Sequence, residues 1–193
     1  MDFHTIAKTY TPKNLAENLS FDEGRILAFK ILFCDEWDGD LNNYATELLN
    51  EIRKHYEKEW TEDWKNDVFL GDACFLDNKY DEEYAAYKRA FEKASSAPPS
   101  LLLCLASCYS TFNPPITADE AEKLTLKALE KELSLRGVVL IRGIYKSKND
   151  QIKFDYWDKV YNGLKGKKTH SSEGIWPDLL SKDTPGGYTS PLQ

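Results

Sequence analysis

The sequence predicts an all-α fold, an α-solenoid of about four antiparallel helix pairs. Between Trp64 and Lys131 the chain runs twice through one pattern, two helices joined by a polar turn. Gly71 of the first pass aligns with Ala106 of the second, and Ala90 aligns with Ala128. A single helix pair cannot bury its apolar face, so several pairs are expected to stack, and stacked repeats bind other molecules more often than they catalyse reactions.

Composition favours one globular domain. The 193 residues are 41% hydrophobic and 30% charged, which is sufficient for a buried core and too apolar for a disordered chain. No apolar run reaches the ~20 residues of a membrane span, and no basic start with an apolar stretch marks a secretory signal. The four cysteines lie in apolar helical contexts, which favours reduced thiols and a cytoplasmic protein.

The N-terminal part is interpreted as a leader followed by two long helices. The leader covers residues 1–20 and includes a short helix near Asn14–Asn18. Ser20 stands three residues before Glu23, the spacing of a capping box, and therefore opens the first long helix. The second runs from Leu41 to about Trp60, because its apolar residues recur every three or four positions.

The two repeat passes follow. Thr61 is expected to cap a helix that ends near Leu76, and a turn at residues 77–79 leads into a helix over 81–94. Prolines at positions 98 and 99 separate this pair from an apolar helix over 101–109.

Thr117 precedes Glu120 by three residues, a second capping box, and opens a helix that runs to about Leu133. A fainter fourth pair occupies residues 136–145 and 154–164 around a turn at 148–150. The helical-repeat domain is thus assigned to 21–163, and 164–193 to an extended C-terminal tail. Compact residues recur once per pair at intervals of 39, 35 and 37 residues. These positions are Leu32, Gly71, Ala106 and Gly143.

The first pass resembles a tetratricopeptide repeat. It matches the family in a compact pair in the first helix, an aromatic residue after the turn, and an aromatic and an alanine late in the second helix. The matching residues are Leu70-Gly71, Tyr80, Tyr87 and Ala90. Glu83 departs from the pattern, because the family has alanine early in the second helix. The resemblance is best over 64–131 and implies a solenoid whose concave face is lined by the first helices.

The resemblance also implies which side chains line that concave face. The corresponding residues are Lys65, Val68, Asp72 and Phe75 in one repeat and Leu103, Ser107 and Ser110 in the next. Acidic and aromatic side chains together suit a basic or amphipathic protein segment.

Charge is distributed unevenly along a chain whose net charge is −7. Residues 20–63 contain 12 acids and 5 bases, whereas residues 133–170 contain 3 acids and 9 bases. Solvated helix faces explain such runs, and so does an acidic surface that attracts a basic protein. The binding candidates in the acidic half are Asp35, Glu36, Asp38 and Asp40. The acidic total and the lack of a recognition motif disfavour nucleic-acid binding.

Catalytic and metal-binding patterns are missing from the sequence. His4, His55 and His170 lie far apart, and Cys104 and Cys108 form one i, i+4 pair without a second pair of ligands. There is no Gly-x-Ser-x-Gly elbow and no phosphate loop. We therefore expect no catalytic residue, no metal and no cofactor.

These observations favour a non-catalytic protein-binding module. One version is an immunity protein that neutralises a cognate secreted bacterial toxin by stoichiometric binding, because small acidic helical proteins without motifs often have that role. The alternatives are a tetratricopeptide-like scaffold or adaptor, and an export chaperone. An enzyme is the competing class. The oligomeric state and the identity of the partner stay open at this stage.

Overall fold

The computed structural model describes residues 2–34, 38–111, 113–166 and 177. Over these residues the chain is all-α, with eleven α-helices, one short 3₁₀ helix and no strand, which confirms the predicted class. None of these helices combines the length and the apolar character that crossing a membrane requires. Two compact units divide between Ala90 and Phe91, so the predicted repeat domain 21–163 extends over both.

The described part of the first unit contains seven helices, which are α1 (Phe3–Thr9), α2 (Pro12–Asn18), α3 (Phe21–Leu32), α4 (Gly39–His55), α5 (Glu57–Glu62), α6 (Lys65–Leu76) and α7 (Tyr80–Lys93). Side chains of α2, α3, α4 and α6 form its hydrophobic core, in which Ile31, Leu48 and Phe69 are buried. The Ser20 capping box is present at the start of α3 as predicted, with the Ser20 backbone amide donating to the Glu23 side chain.

Residues 1–20, interpreted as a leader, instead form two helices that belong to the first unit. Leu15 and Ala16 of α2 are buried in its core. Two tyrosine hydroxyls of the α4 region donate to carbonyls that end these helices, Tyr44 to Tyr10 at 2.7 Å and Tyr56 to Leu19 at 2.6 Å. The segment is therefore part of the folded unit.

The helix expected from Leu41 to about Trp60 is broken at Tyr56, where α4 ends and α5 begins. The Tyr56 ring packs on Phe21 at 5.8 Å while its hydroxyl reaches the end of α2, which explains why the chain bends there. The prediction that Thr61 caps the next helix is wrong, because Thr61 lies inside α5. The N-cap of α6 is Trp64, and the side chain of the preceding residue, Asp63, accepts a bond from the Lys65 amide at 2.9 Å.

Helices α6 and α7 form an antiparallel pair. Asp72 meets Tyr87 and Asp67 meets Arg89, so the contacts run in opposite directions along the two helices. A Cβ atom placed on Gly71 would lie within 2.6 Å of the Tyr87 ring atom Cδ1, so the tyrosine ring packs directly on the helix backbone.

The second unit contains α8 (Pro99–Ser107), a 3₁₀ turn at Cys108–Ser110, α9 (Ala118–Lys131), α10 (Leu135–Ser147) and α11 (Gln151–Leu164). Leu102, Leu103 and Ala128 form an apolar cluster in it, with Leu124 and Leu140 packed alongside. The predicted capping box at Thr117 is present at the start of α9. Helices α10 and α11 are antiparallel, because Arg142 meets Asp158 and Tyr145 meets Lys153.

The predicted turns at 77–79 and 148–150 are confirmed, and both use the same device. Asn78 and Asn149 adopt left-handed backbone conformations, with φ of 58° and 54°. In each turn the next amide reaches back to the helix, from Lys79 to Cys74 and from Asp150 to Tyr145. This closure satisfies the carbonyls left free at a helix end.

The compact positions do not all have the same role. Ala106 is fully buried, as expected for a close helix approach. Gly143 is exposed, and no atom lies within 4 Å of the place that a Cβ atom would take, so the expectation for the fourth pair is corrected. Gly137 makes the close approach instead, because a Cβ atom there would lie 2.8 Å from Leu129 of α9.

Candidate protein-binding surface

The acidic candidates lie at the start of α4. Asp35 and Glu36 are outside the described residues. Asp38 is the N-cap of α4 and accepts bonds from the amides of Asp40, at 2.7 Å, and Leu41, at 3.4 Å. It also lies 3.5 Å from the imidazole of His4. Asp38 therefore has a structural task, whereas Asp40 is exposed in the first helical turn and accessible to a partner.

The start of α4 lies against the end of α6. The Asn42 amide donates to the carbonyl of Leu76 at 3.4 Å, and the Lys79 ammonium donates to Asn43 at 2.9 Å. Thr46, one turn further along α4, donates to the carbonyl of Ala73 at 3.2 Å. The two helices are thus antiparallel, and acids from α4 meet acids from the α6–α7 turn.

Lys79 lies close to carboxylates of the first unit and is paired with Asp77. Burial lowers the pKa of this lysine, but the hydrogen bond and charge of Asp77, 2.8 Å away, together with the charges of Glu82 and Glu47, raise it overall. Burial and the charge of Glu82 also raise the pKa of the neighbouring Cys74 thiol to about 12. The carboxylates of three separate elements therefore act at one place.

We call this region the acidic end of the first unit. Its carboxylates are Asp38, Asp40, Glu47, Asp77 and Glu82. Phe75, in the last turn of α6 and two residues before Asp77 in the chain, is 37% exposed and offers an aromatic surface. Acids at the start of a helix also stabilise that helix through its dipole, but Glu47 lies in the middle of α4 and is exposed. The arrangement can attract and hold a cationic segment.

Three of the positions carried over from the tetratricopeptide pattern are interior, which corrects the expected concave face. Asp72 is 4% exposed and accepts a bond from the Tyr87 hydroxyl at 2.5 Å. Val68 and Leu103 are buried in the apolar interiors of their units. Because they are buried, these three side chains are not available to bind another protein.

The remaining carried-over positions are separated from the acidic end or belong to the second unit. Lys65 begins α6 and stacks over Trp64 at 5.9 Å, about 15 Å along the helix from Phe75 at 1.5 Å per residue. Ser107 donates to the Cys104 carbonyl at 2.7 Å, and Ser110 is exposed in the 3₁₀ turn. Of the predicted set, Asp38 and Asp40 lie at the start of α4, and Phe75 lies in the last turn of α6, the helix end on which the start of α4 packs.

A buried polar network in the first unit was not found from the sequence. Asp67 is 0% exposed, and one of its oxygens accepts bonds from the Trp60 indole at 3.2 Å and from Arg89 at 3.0 Å. Asn66 joins it, donating to the Trp60 carbonyl at 3.1 Å and accepting from Arg25 at 2.5 Å. The network connects α3, α5, α6 and α7. Because it is buried, it stabilises the packing of these helices and is not a binding site.

The second unit has a more peripheral network centred on Glu122. This carboxylate accepts bonds from Tyr145, at 2.7 Å, from Lys148, at 2.5 Å, and from Lys153, at 3.3 Å. Burial raises the pKa of Glu122, but the three donors together lower it. The network ties α9 to α10 and to the start of α11.

The thiols lie mostly in the interior. The four cysteines are reduced thiols rather than disulfides, and Cys74, Cys104 and Cys108 are buried. The Cys108 thiol lies 3.5 Å from the Cys104 carbonyl, to which it donates. Within the described residues no group of three or more histidine, cysteine or acidic side chains could hold a metal ion.

No protein-family model, curated protein or solved structure matches the chain. Its function therefore has to be argued from its own surface.

Proposed function

We propose that this chain is a non-catalytic protein-binding module whose acidic end binds a basic segment of another protein. The proposal rests on the carboxylates that act on Lys79, which are the paired Asp77 at 2.8 Å together with Glu47 of α4 and Glu82 of α7, and on the exposed ring of Phe75 in the last turn of α6. Long-range attraction would steer a cationic partner to this region, and the aromatic ring would supply apolar contact area once it docks.

The helix pairs of each unit supply a rigid support for this surface, and we propose that they are tetratricopeptide-like. The resemblance over 64–131 and the contact of Gly71 with the Tyr87 ring support that assignment. Asp40 and Glu47 lie on α4, which is fastened to α6 through Thr46 and Asn42. A binding surface on helices held in this way loses little conformational freedom when a partner docks.

The most specific version is an immunity protein that neutralises a secreted bacterial toxin. A net charge of −7 and a local excess of carboxylates suit stoichiometric binding of a basic toxin, since complementary charge accelerates association. A scaffold or adaptor would use the same acidic end with a different basic partner.

The export-chaperone alternative depends on an exposed apolar groove. Leu103, which the resemblance assigns to that groove, is 3% exposed, while Phe75 is accessible. The chaperone version therefore rests on Phe75 alone, and we favour the electrostatic versions.

Charge reversal tests the proposal. The purified full-length chain is immobilised and used to capture proteins from a lysate of its source cells, with identification by mass spectrometry. The triple variant Asp40→Lys, Glu47→Lys, Glu82→Lys changes the acidic end, where all three side chains are exposed. The triple variant Glu57→Lys, Glu59→Lys, Glu62→Lys is the matched control, because it reverses three exposed acids of α5 in the same unit.

We expect one basic protein to be captured by the wild type and by the control, and to be lost from the acidic-end variant. If both variants lose the captured protein equally, binding depends on the net charge of the chain and not on the acidic end. An apolar protein lost only after Phe75→Ser would indicate the chaperone version. If the captured protein is a toxin, co-expression of the wild type should restore growth of cells that produce it, and the acidic-end variant should not.

A further inference from the structure

We propose that the chain forms a two-fold symmetric homodimer through the outer face of α11, with a second copy of the chain as the occupant of that face. Ile152 is 84% exposed and Tyr156 is 61% exposed, the highest values among the exposed large hydrophobic side chains of the described residues. Helix α11 contains no buried residue, although it carries several aromatic side chains. Apolar exposure of this degree on one helix face is typical of an interaction surface.

The inner face of α11 is already occupied. The guanidinium of Arg142 in α10 lies 4.2 Å from the Tyr161 ring and 5.6 Å from the Phe154 ring, and it pairs with Asp158. These three residues of α11 therefore point to α10. The outer face, on the opposite side of the helix, has no such partner within the second unit's described contacts.

The outer face has the composition of a helix-packing surface. Residues spaced by three or four positions lie on one side of an α-helix. Here the series is Ile152, Tyr156, Lys159 and Gly163. The Tyr156 ring is held edge-on against Trp157, with centroids 5.3 Å apart, and no atom lies within 4 Å of a Cβ position on Gly163. The face thus presents the exposed Ile152 and Tyr156 side chains toward one end, and a glycine with open space around it at the other.

This series is complementary to itself in an antiparallel arrangement. When two copies of α11 cross at mid-helix, Ile152 of each copy lies over Gly163 of the other, and Tyr156 lies over Lys159. Two-fold symmetry makes every such contact occur twice. The Ile152 side chain then packs on the backbone at Gly163, and the Tyr156 ring covers the stem and ammonium of Lys159.

The charges along one edge of the face select the same arrangement. Asp155 and Lys159 are both exposed and lie on one side of the apolar series, about 40° apart around the helix. In the antiparallel dimer Asp155 of each copy faces Lys159 of the other, which gives two equivalent ion pairs. A parallel arrangement would bring the two Lys159 ammonium groups to the same height, where they repel each other.

A contact made by one helix of 14 residues is small, so the dimer should be weak and dependent on concentration. We would measure sedimentation velocity of the full-length chain from about 1 μM to about 1 mM. The wild type should change from monomer to dimer in this range. The variant Ile152→Asp should raise the dissociation constant by at least about tenfold, whereas Val139→Asp, an exposed apolar residue of α10, should leave it unchanged.

Charge exchange tests the pairing itself. Asp155→Lys and Lys159→Asp should each weaken the dimer, and the double variant should restore it, a result that a general change in surface charge cannot produce. Gly163→Leu should weaken the dimer by occupying the space that Ile152 of the other copy takes over Gly163. Gly143→Leu is its control, since that glycine is also exposed and has open space around it.

Three results would overturn the proposal. One is a wild type that stays monomeric at the highest concentration. Another is equal dimerisation of the Ile152→Asp and Val139→Asp variants. The third is a monomer that binds anionic phospholipid vesicles through the same face and loses them on Ile152→Asp, because that result would assign α11 to a membrane surface. Circular dichroism of each variant confirms that it is folded.

Discussion

Each unit has a carboxylate that accepts hydrogen bonds from other helices, but this carboxylate is buried in the first unit and nearer the surface in the second. In the first unit Asp67 is fully buried between Trp60 and Arg89, and other acids, such as Asp40, Glu47 and Glu82, are exposed. In the second unit Glu122 lies near the surface and is neutralised by Lys148 and Lys153. Carboxylates link helices in both units. Among the described residues, however, acids outnumber bases in the first unit and not in the second.

This difference separates stability from binding. The interactions of a buried carboxylate with its donors are little screened by salt, and a partner protein cannot reach it. A carboxylate near the surface is screened by salt and can contact a partner protein. The acidic end can therefore be altered without disturbing the Asp67 network, which holds α5, α6 and α7 together from the inside. The following predictions test the contrast, from the largest expected effect to the smallest.

Removing the buried acid should have the largest effect. Asp67→Ala leaves the Trp60 indole and the Arg89 guanidinium without this acceptor, and we expect a loss of about 3–5 kcal/mol in the free energy of unfolding. Urea denaturation followed by circular dichroism measures it. Asp40→Ala, an exposed acid of the same unit, should change stability by less than about 0.5 kcal/mol. Similar losses for the two variants would contradict the assigned role of the network.

Filling the close approach in the first unit should cost less. Gly71→Leu drives a side chain into the Tyr87 ring and should destabilise by about 1–3 kcal/mol. Gly143→Leu in the second unit should be neutral or stabilising, because it has space and leucine favours the helix more than glycine does. The midpoint of thermal unfolding of each variant tests this. Equal shifts for both would contradict the claim that Gly71 alone of the two lies in a close helix contact.

The peripheral network should depend on pH. The pKa of Glu122 is lowered in the folded state relative to its ordinary value of 4.5, so its stabilising contribution is present above that pH and disappears as the pH falls through the folded-state pKa. Glu122→Gln should cost about 1–2 kcal/mol at pH 7. The difference from the wild type should shrink below pH 4.5 and in high salt. A difference independent of pH would contradict this account.

The two capping boxes should give matched, smaller effects. Ser20→Ala in the first unit and Thr117→Ala in the second each remove a side-chain acceptor for the third helical amide, at a cost of about 1 kcal/mol. Hydrogen bonds from the caps lower the pKa of both Glu23 and Glu120, so each contribution should weaken as the pH falls below 4.5. Hydrogen exchange of the first turns of α3 and α9 resolves the two sites separately.

Local signals in the sequence are enough to predict most helix boundaries. Both capping boxes and both asparagine turns involve residues only a few positions apart, so their chemistry can be recognised without the fold. The features that the sequence does not reveal depend on distant contacts. The break at Tyr56 requires Leu19 and Phe21, and α1 and α2 are short helices that depend on packing against α4.

The candidate site divides in the same way. The charge of the acidic half predicts Asp38 and Asp40, and the repeat pattern predicts Phe75. Neither predicts Glu47, because only the antiparallel contact of α4 with α6 brings that part of α4 to Lys79. Asp77 and Glu82 are near Lys79 in the sequence itself, but neither pattern singled them out. The assignment of Asp72 to the surface is wrong, since a sequence pattern does not show that Tyr87, 15 residues later, folds over it.

The most direct test of the acidic end measures the association rate constant of the captured partner at several ionic strengths. With the wild type and the α5 control, the rate should fall steeply as salt increases, as expected for electrostatic steering. With Asp40→Lys, Glu47→Lys, Glu82→Lys it should be at least about tenfold lower at low salt and nearly independent of salt. If both triple variants give the same rates, the acidic end is not the binding surface.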